Sequence, residues 1–176
     1  GPTNTRNRDV MNARRYVAQQ LALLERIGDA IESYRRILPL ARTLVADNPT
    51  DSRSRNDLAR SLLEYGRILL IAEQPNDAVE PLRESAAGWK QAMERSSEGG
   101  GHDHVAARSL IDSNLFLGRA LLMSDNPEVA REVHGELAAL LREMRGIWPD
   151  DDSFASQTRD AEILHEAILK ELGRLD

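Results

Sequence analysis

The residues best suited to metal binding are His102, Asp103 and His104, two imidazoles and a carboxylate at consecutive positions. Both groups are zinc ligands, but a zinc site needs three or four ligands on a scaffold, with hydrogen-bonding partners behind them. These residues instead follow three glycines, and His134 and His165 lie far along the chain. We therefore expect a solvated loop or helix start here, and no bound metal.

Two other segments contain residues that bind phosphate or calcium in other proteins. Gly99–Gly101 lacks the Lys-Ser/Thr pair and the preceding strand of a phosphate-binding loop, so we expect a flexible connection. Asp150–Asp152 lacks the ligand spacing and the distal Glu of a calcium loop. Carboxylates are favoured at the N-terminus of a helix, which explains this segment better. The sequence predicts no cofactor.

The groups needed for catalysis are absent or scattered. The chain has no cysteine, and no Ser, His and acid stand where the sequence alone brings them together. We therefore expect a protein that is not an enzyme. The net charge of −6 disfavours nucleic acid as a partner, because such domains have a basic surface. No run of 18 apolar residues is present, so we expect no membrane insertion. The expected compartment is the cytoplasm, with a periplasmic sensory domain as the alternative.

A repeated pattern indicates which elements position the polar residues. With Ala30, Ala78 and Ala130 as anchors, spaced 48 and 52 residues apart, a small residue recurs twelve positions earlier and a leucine nine positions earlier. The small residues are Ala18, Gly66 and Gly118, and the leucines are Leu21, Leu69 and Leu121. We expect the four extra residues of the longer spacing to lie in the Gly-rich loop at 96–103.

Each unit is predicted to form two helices, because apolar residues such as Leu62, Tyr65 and Leu69 recur at helical spacing. Asn126 and Pro127 form a typical helix start, with a capping residue before a first-turn proline. No strand-like alternation is present. The predicted helices cover 7–26, 29–47, 52–73, 77–96, 104–124, 128–147 and 153–173.

This pattern of small and large residues resembles the tetratricopeptide repeat. Three features carry the resemblance. A small residue stands at Gly66 and Gly118, an alanine follows twelve positions later, and a bulky residue stands four positions after that alanine, as Tyr34 does after Ala30 and Leu82 after Ala78. The long period is similar to that of arrays in multidomain bacterial signalling proteins, including serine/threonine kinases. The resemblance implies an all-α fold, a right-handed solenoid of three antiparallel helix hairpins with a terminal capping helix.

The predicted organisation is a single domain over 3–176, with repeats at 7–50, 51–101 and 102–150 and a capping helix at 152–174. Gly1 and Pro2 look like the remnant of a cleaved tag, so we expect a piece of a larger protein. One side of the final helix should cover the last hairpin with Ile163, Leu164, Ala167, Ile168 and Leu172. An unpaired apolar surface at the other end should meet the rest of that protein through Val10, Tyr16, Val17 and Leu21.

The resemblance also implies a concave groove lined by the first helix of each hairpin. Its groove-facing positions correspond here to Asn12, Arg15, Gln19, Arg60, Leu63, Arg67, Asp112, Leu115 and Arg119. Arginine binds carboxylates through two parallel hydrogen bonds, so this groove would suit an acidic segment or a C-terminal carboxylate. Leu63, Leu70 and Leu115 would add apolar contact. Alternatively, the arginines pair with Glu64, Asp112 or the acidic final helix and only keep the surface soluble.

We expect a non-catalytic protein–protein interaction module that binds a peptide or protein partner, as a recruitment or sensory domain of a bacterial signalling protein. The alternative is a dimerisation or spacer domain, a homodimer that aligns catalytic domains elsewhere in the chain. A third hypothesis, a small-ligand sensor, requires a closed pocket between hairpins. Trp89 is expected in the core, and Trp148 and Phe154 between the last hairpin and the final helix, with a partner-facing role for Trp148 as the alternative.

Overall fold

The structure, a computed structural model, describes residues 2–173, with side chains from Arg6 onward. Within that range the chain forms seven α-helices and no strand, which confirms the predicted all-α class. Apart from α1, each helix begins within two residues of its predicted start. The helices are α1 Pro2–Leu23, α2 Ile27–Asp47, α3 Ser52–Ile71, α4 Pro75–Glu98, α5 His104–Met123, α6 Pro127–Ile147 and α7 Asp152–Leu172.

The turn inside each hairpin is the same in all three repeats. It contains a residue with φ of 57–59°, namely Glu25, Glu73 or Asp125. The next residue donates its backbone N–H to the carbonyl oxygen of the repeated leucine, at 2.9, 2.9 and 3.0 Å. These donor and acceptor pairs are Arg26–Leu21, Gln74–Leu69 and Asn126–Leu121. The sequence repeat therefore corresponds to a repeated turn in three dimensions.

The start of the next hairpin is also repeated. Asp51, Asp103 and Asp151 precede α3, α5 and α7, and each side chain accepts a hydrogen bond from a backbone N–H two or three residues on. An N-cap carboxylate satisfies helix donors that have no partner within the helix, which is why these helices begin where they do. The N-caps are spaced 52 and 48 residues apart, so equivalent positions of the later helices can be matched directly.

The four extra residues of the second repeat lie mainly in a helix, contrary to the expectation that they would lie in the Gly-rich loop. The helices α2 and α6 have 21 residues each, and α4 has 24. The loop 99–103 exceeds the loops 48–51 and 148–151 by a single residue. The physical reason is that no proline or glycine stands between Gly88 and Gly99, so α4 continues to Glu98.

Each helix packs against the next one along the chain, and the first helices α3, α5 and α7 also contact one another in that order. One apolar core runs through the helices, with Tyr34, Leu69, Ile111 and Phe154 fully buried. A smaller cluster surrounds Trp89, which is 1% exposed, as predicted. Among the described residues, no helix is both long and apolar enough to cross a membrane.

The C-terminal helix α7 covers the last hairpin with part of its predicted apolar side. Leu164 and Ile168 are buried, whereas Ile163 is 62% exposed because it points away from the neighbouring helices. Trp148 and Phe154 stack with ring centroids 5.6 Å apart, next to the start of α7. These contacts confirm that the two rings pack the last hairpin against the final helix. Gly1 and residue 174, named in the predicted boundaries, lie outside the described residues.

Candidate functional site

The predicted groove residues lie on three helices, α1, α3 and α5. Asn12, Arg15 and Gln19 are on α1, Arg60, Leu63 and Arg67 on α3, and Asp112, Leu115 and Arg119 on α5. Since α3 and α5 contact each other, their polar residues share one surface. The side chains on it differ strongly in burial and in their partners.

The α1 part of this surface is held by an ion-pair network with α3. Arg15 lies 3.8 Å from Asp57 and 3.9 Å from Glu64, and its side chain is 14% exposed. Gln19 donates a hydrogen bond to Glu64, and so does the buried Tyr34 hydroxyl, at 2.9 and 2.7 Å. Burial and then the Glu64 charge raise the pKa of Tyr34. Arg15 is therefore already neutralised inside the molecule.

A polar cleft of about 620 Å³ opens between the N-terminal halves of α1 and α3. Four arginines and two asparagines line it together with Asp9 and Asp57: Arg8, Arg15, Arg53, Arg60, Asn12 and Asn56. The Oδ1 atoms of both asparagines are buried and accept no hydrogen bond from the described residues. The cleft therefore contains buried acceptors on Asn12 and Asn56 and buried donors, Arg8 Nε and Arg15 Nη1, that make no hydrogen bond to the described residues.

Arg60 and Arg67 differ from Arg15, because neither makes an ion pair with a carboxylate in the described part of the chain. Both are exposed, seven residues apart on α3 and so on one side of it. The Arg67 guanidinium lies over the Phe116 ring at 5.0 Å, and Arg119 lies over the same ring at 5.5 Å. Such cation–π contacts orient arginines without neutralising them.

Phe116, the ring that both Arg67 and Arg119 contact, was not among the predicted groove residues. It lies four residues after Asp112 and three before Arg119, so helical spacing already placed it on the groove side of α5. The apolar groove residues that were predicted contribute little surface, since Leu63 is 8% exposed and Leu115 is 3% exposed. Both belong to the core between the helices, and Leu70, predicted with them, is half-buried and packs against the same core.

Asp112 and Arg119 contact the final helix. Gln157 Nε2 donates a hydrogen bond of 2.6 Å to Asp112 Oδ1, and burial raises the pKa of Asp112. Arg119 lies 3.8 Å from Asp160. Pairing with the acidic final helix, one of the two alternatives left open by the sequence, thus applies to Arg119 but not to Arg60 or Arg67.

The residues 102–104 contribute to packing. His104 Nε2 and Asp151 Oδ2 are 2.5 Å apart, and both His104 and His102 contact the Trp148 ring edge-on. Asp151 also accepts from the Ser153 hydroxyl and backbone N–H, and first Ser153, then His104, lower the pKa of Asp151 to about 2. In the described part of the chain, no three His, Asp or Glu side chains are grouped so that they could hold a metal ion.

A second cleft, of about 700 Å³, lies between α6 and α7 and is not part of the groove surface. His134 and His165 stack within it at 4.6 Å, and the His134 ring contacts the Ala161 carbonyl oxygen at 3.0 Å. Burial, and then the neighbouring His165, lower the pKa of His134. Glu162 and Glu166 line the same cleft. The sequence analysis did not identify this site.

No protein-family model matches this sequence, and a search among curated proteins finds no significant match. The chemistry of the groove surface must therefore be inferred from its own residues.

Proposed function

We propose that this chain is a non-catalytic protein-interaction module whose groove surface on α1, α3 and α5 binds an acidic peptide segment. The observation that carries this proposal is the state of Arg60 and Arg67, two exposed guanidinium groups that make no ion pair within 4 Å among the described residues, although the Arg67 charge acts on the Asp112 carboxyl. The other arginines of the groove are paired inside the molecule. Carboxylates supplied by a partner would neutralise these two positive charges on α3.

The polar cleft favours a peptide over a simple anion. Asn12 and Asn56 present buried acceptors without donors. A peptide main chain brings N–H donors and, at its C-terminus or in acidic side chains, carboxylates. One extended segment can therefore satisfy the asparagines through its backbone and Arg60 through its charge. Buried polar groups gain most from a partner that satisfies them completely.

Further along the groove, Phe116 offers apolar contact between two cations. An aromatic ring flanked by guanidinium groups binds a segment that alternates acidic and apolar side chains. The spacing from Arg60 to Arg67 is about 10 Å along the helix axis, at about 1.5 Å per residue. An extended segment of about three residues spans that distance. The expected ligand thus has two acidic groups two or three residues apart.

The test is a peptide array containing acidic segments with this spacing, each with a free and an amidated C-terminus. Wild-type protein is compared with the Arg60→Glu/Arg67→Glu variant and with Arg83→Glu/Arg131→Glu, which makes the same change of charge on the exposed surfaces of α4 and α6. We expect the α3 variant to lose binding by at least about tenfold, because each charge-assisted pair contributes about 1.5–3 kcal/mol. We expect the control to bind like wild type.

Two outcomes would reject this assignment: no acidic peptide binds wild type, or both variants weaken binding equally. Equal weakening would mean that the overall charge matters and not the groove. Circular-dichroism melts of both variants should remain close to wild type, since neither arginine pair supports the fold through an ion pair.

The alternative, a dimerisation or spacer domain within a larger signalling protein, is supported by a different surface. The apolar residues Val10, Tyr16 and Val17 on α1 are exposed, as predicted. Leu21, predicted to lie on the same surface, is instead half-buried and packs against the core, because its side of α1 faces the neighbouring helices. Attachment to a bacterial signalling protein and a tetratricopeptide-like solenoid arrangement also stay proposals.

A further inference from the structure

The cleft between α6 and α7, of about 700 Å³, combines an apolar floor with charged walls. Leu141 of α6 and Ala161 of α7 line it and are each 4% exposed, and Ala138 lines it as well. The charged residues that line it from α6 and α7 include two arginines and two glutamates, Arg142, Arg145, Glu162 and Glu166. Its volume falls in the range of about 300–1,000 Å³ that is typical of small-molecule sites. We call it the α6–α7 cleft.

The register of the two helices separates the positive from the negative side chains. The helices are joined by a loop of four residues and pack antiparallel. The His134 ring contacts the Ala161 carbonyl oxygen and stacks on His165, so position 134 lies level with positions 161–165. Arg142 follows His134 by eight residues, or about 12 Å along the axis. It is therefore level with the first turns of α7, whereas Glu166 adjoins His165 at the other end.

The charges of the α6–α7 cleft are not neutralised within the described part of the chain. The two arginines and the two glutamates are exposed, and none of them makes an ion pair there. Burial, and then the neighbouring His165, lower the pKa of His134, so this ring is neutral at pH 7 and adds no positive charge beside Glu166. One end of the cleft therefore carries open positive charge and the other open negative charge.

The glutamates also distinguish this side of α7 from the equivalent side of α3. Equivalent positions of the two helices are 100 residues apart, so Glu162 corresponds to Leu62 and Glu166 to Gly66. Leu62 is 1% exposed, and a Cβ atom at Gly66 would lie 2.4 Å from Leu82 Cγ of α4. A glutamate prevents such a close approach, and its carboxylate is costly to bury against an apolar helix. The α6–α7 cleft thus suits a polar occupant better than another apolar helix.

We propose that the α6–α7 cleft binds a short zwitterionic peptide, with both termini free and apolar side chains between them. Its terminal carboxylate pairs with Arg142 and Arg145, which can bind it through parallel hydrogen bonds. Its terminal ammonium group pairs with Glu162 or Glu166. The apolar side chains lie on the floor around Ala161.

The register also gives the length of the ligand. Arg142 is level with residue 155 of α7, eight residues before the midpoint of the Ala161 and His165 contacts. Glu162 is seven residues further on, or about 10 Å along the axis. An extended peptide covers about 3.3–3.6 Å per residue, so a tripeptide spans this distance. A simple anion, or one end of a long polypeptide, would meet the charges at only one end of the cleft.

The test uses the tripeptide alanyl-leucyl-alanine in three forms: with both termini free, with an acetylated N-terminus, and with an amidated C-terminus. Isothermal titration calorimetry measures the affinity of wild-type protein for each form. We expect the free tripeptide to bind at least about tenfold more tightly than either blocked form, because each block removes one charge-assisted pair.

Variants at the two ends of the cleft should lose different preferences. Arg142→Gln/Arg145→Gln should bind the free and the amidated tripeptide equally, and should still prefer the free to the acetylated form. Glu162→Gln/Glu166→Gln should show the reverse pattern. None of these four side chains makes an ion pair that supports the fold, so circular-dichroism melts should stay close to wild type.

The matched control is Arg83→Gln/Arg131→Gln, which removes two exposed arginines outside the cleft and should bind all three probes like wild type. The proposal is overturned if the free tripeptide does not bind wild-type protein at millimolar concentrations, or if wild type binds all three forms equally. It is also overturned if the control changes the preferences as the cleft variants do, because overall charge would then explain the binding.

This inference does not rest on the proposed groove function. The Arg60→Glu/Arg67→Glu variant should bind the free tripeptide like wild type. Conversely, Glu162→Gln/Glu166→Gln should bind the acidic peptides of the array like wild type. Each proposal can therefore fail without the other.

Discussion

Gly66 and Gly118 occupy the same position in two repeats, yet they face different neighbours. A Cβ atom at Gly66 would lie 2.4 Å from Leu82 Cγ of α4, and one at Gly118 would lie 2.7 Å from Leu164 Cδ2 of α7. The first contact closes a hairpin, and the second seats the final helix. Both glycines are required for close approach and not for backbone freedom, since neither has a positive φ.

We expect Gly66→Ala to destabilise the protein by about 1–3 kcal/mol, because the added methyl group overlaps a fully buried leucine. The control is Gly135→Ala in α6, where a Cβ would meet no atom within 4 Å. That change should stabilise by about 0.5–1 kcal/mol, since alanine favours the helix over glycine. Urea denaturation followed by circular dichroism measures both. A neutral Gly66→Ala would contradict the close helix contact.

At the scale of the elements, the three hairpin turns share one backbone conformation, but the residues that adopt it are of an unusual type. A residue with φ near 57° is most often glycine, yet these turns use Glu25, Glu73 and Asp125. A side chain costs free energy in that conformation. The turns form nonetheless, because the two helices of each hairpin pack along their lengths.

We expect Glu73→Gly to stabilise the protein by about 0.5–1 kcal/mol, since glycine removes the cost of the left-handed conformation. Glu80→Gly, at an exposed position inside α4, should instead destabilise by about 1 kcal/mol. Thermal unfolding of the two variants measures the difference in sign. A lower melting temperature for both would show that the turn residue is not strained.

At the scale of the whole molecule, contacts are confined to helices close along the chain. The final helix α7 contacts α6 and α5, and Trp148 and Phe154 stack at its start. Trp89 lies in a separate cluster between α4 and α5. In such an arrangement stability is roughly a sum of neighbouring interfaces, so one end can unfold before the rest.

We expect Phe154→Ala to destabilise the α7 interface by about 3–5 kcal/mol, because a fully buried ring is lost. The change is made in two backgrounds, Trp89→Phe and Trp148→Phe, so that a single tryptophan reports fluorescence in each. The fluorescence of Trp148 should report unfolding at a lower urea concentration than the fluorescence of Trp89. Coincident transitions would show that the molecule unfolds as one unit.

The sequence by itself determined the helical class, the length of the repeat and, to within two residues, the starts of α2 to α7. These features depend on local chemistry, such as helical spacing of Leu62, Tyr65 and Leu69, or a proline after Asn126. The exposure of Val10 and Val17 was also predicted, since α1 is the first helix of the described residues. The N-cap aspartates Asp51, Asp103 and Asp151 also recur with the repeat, but only the segment around Asp151 was predicted to lie at a helix N-terminus.

Only the tertiary structure decided which side chains of the groove are free. Arg15 and Glu64 are 49 positions apart, and Gln157 and Asp112 are 45 apart, so their pairing depends on distances between helices that no local pattern encodes. Leu63 and Leu115 proved buried for the same reason. Periodicity places a residue on a side of its helix, but the neighbouring helices determine whether that side meets protein or solvent.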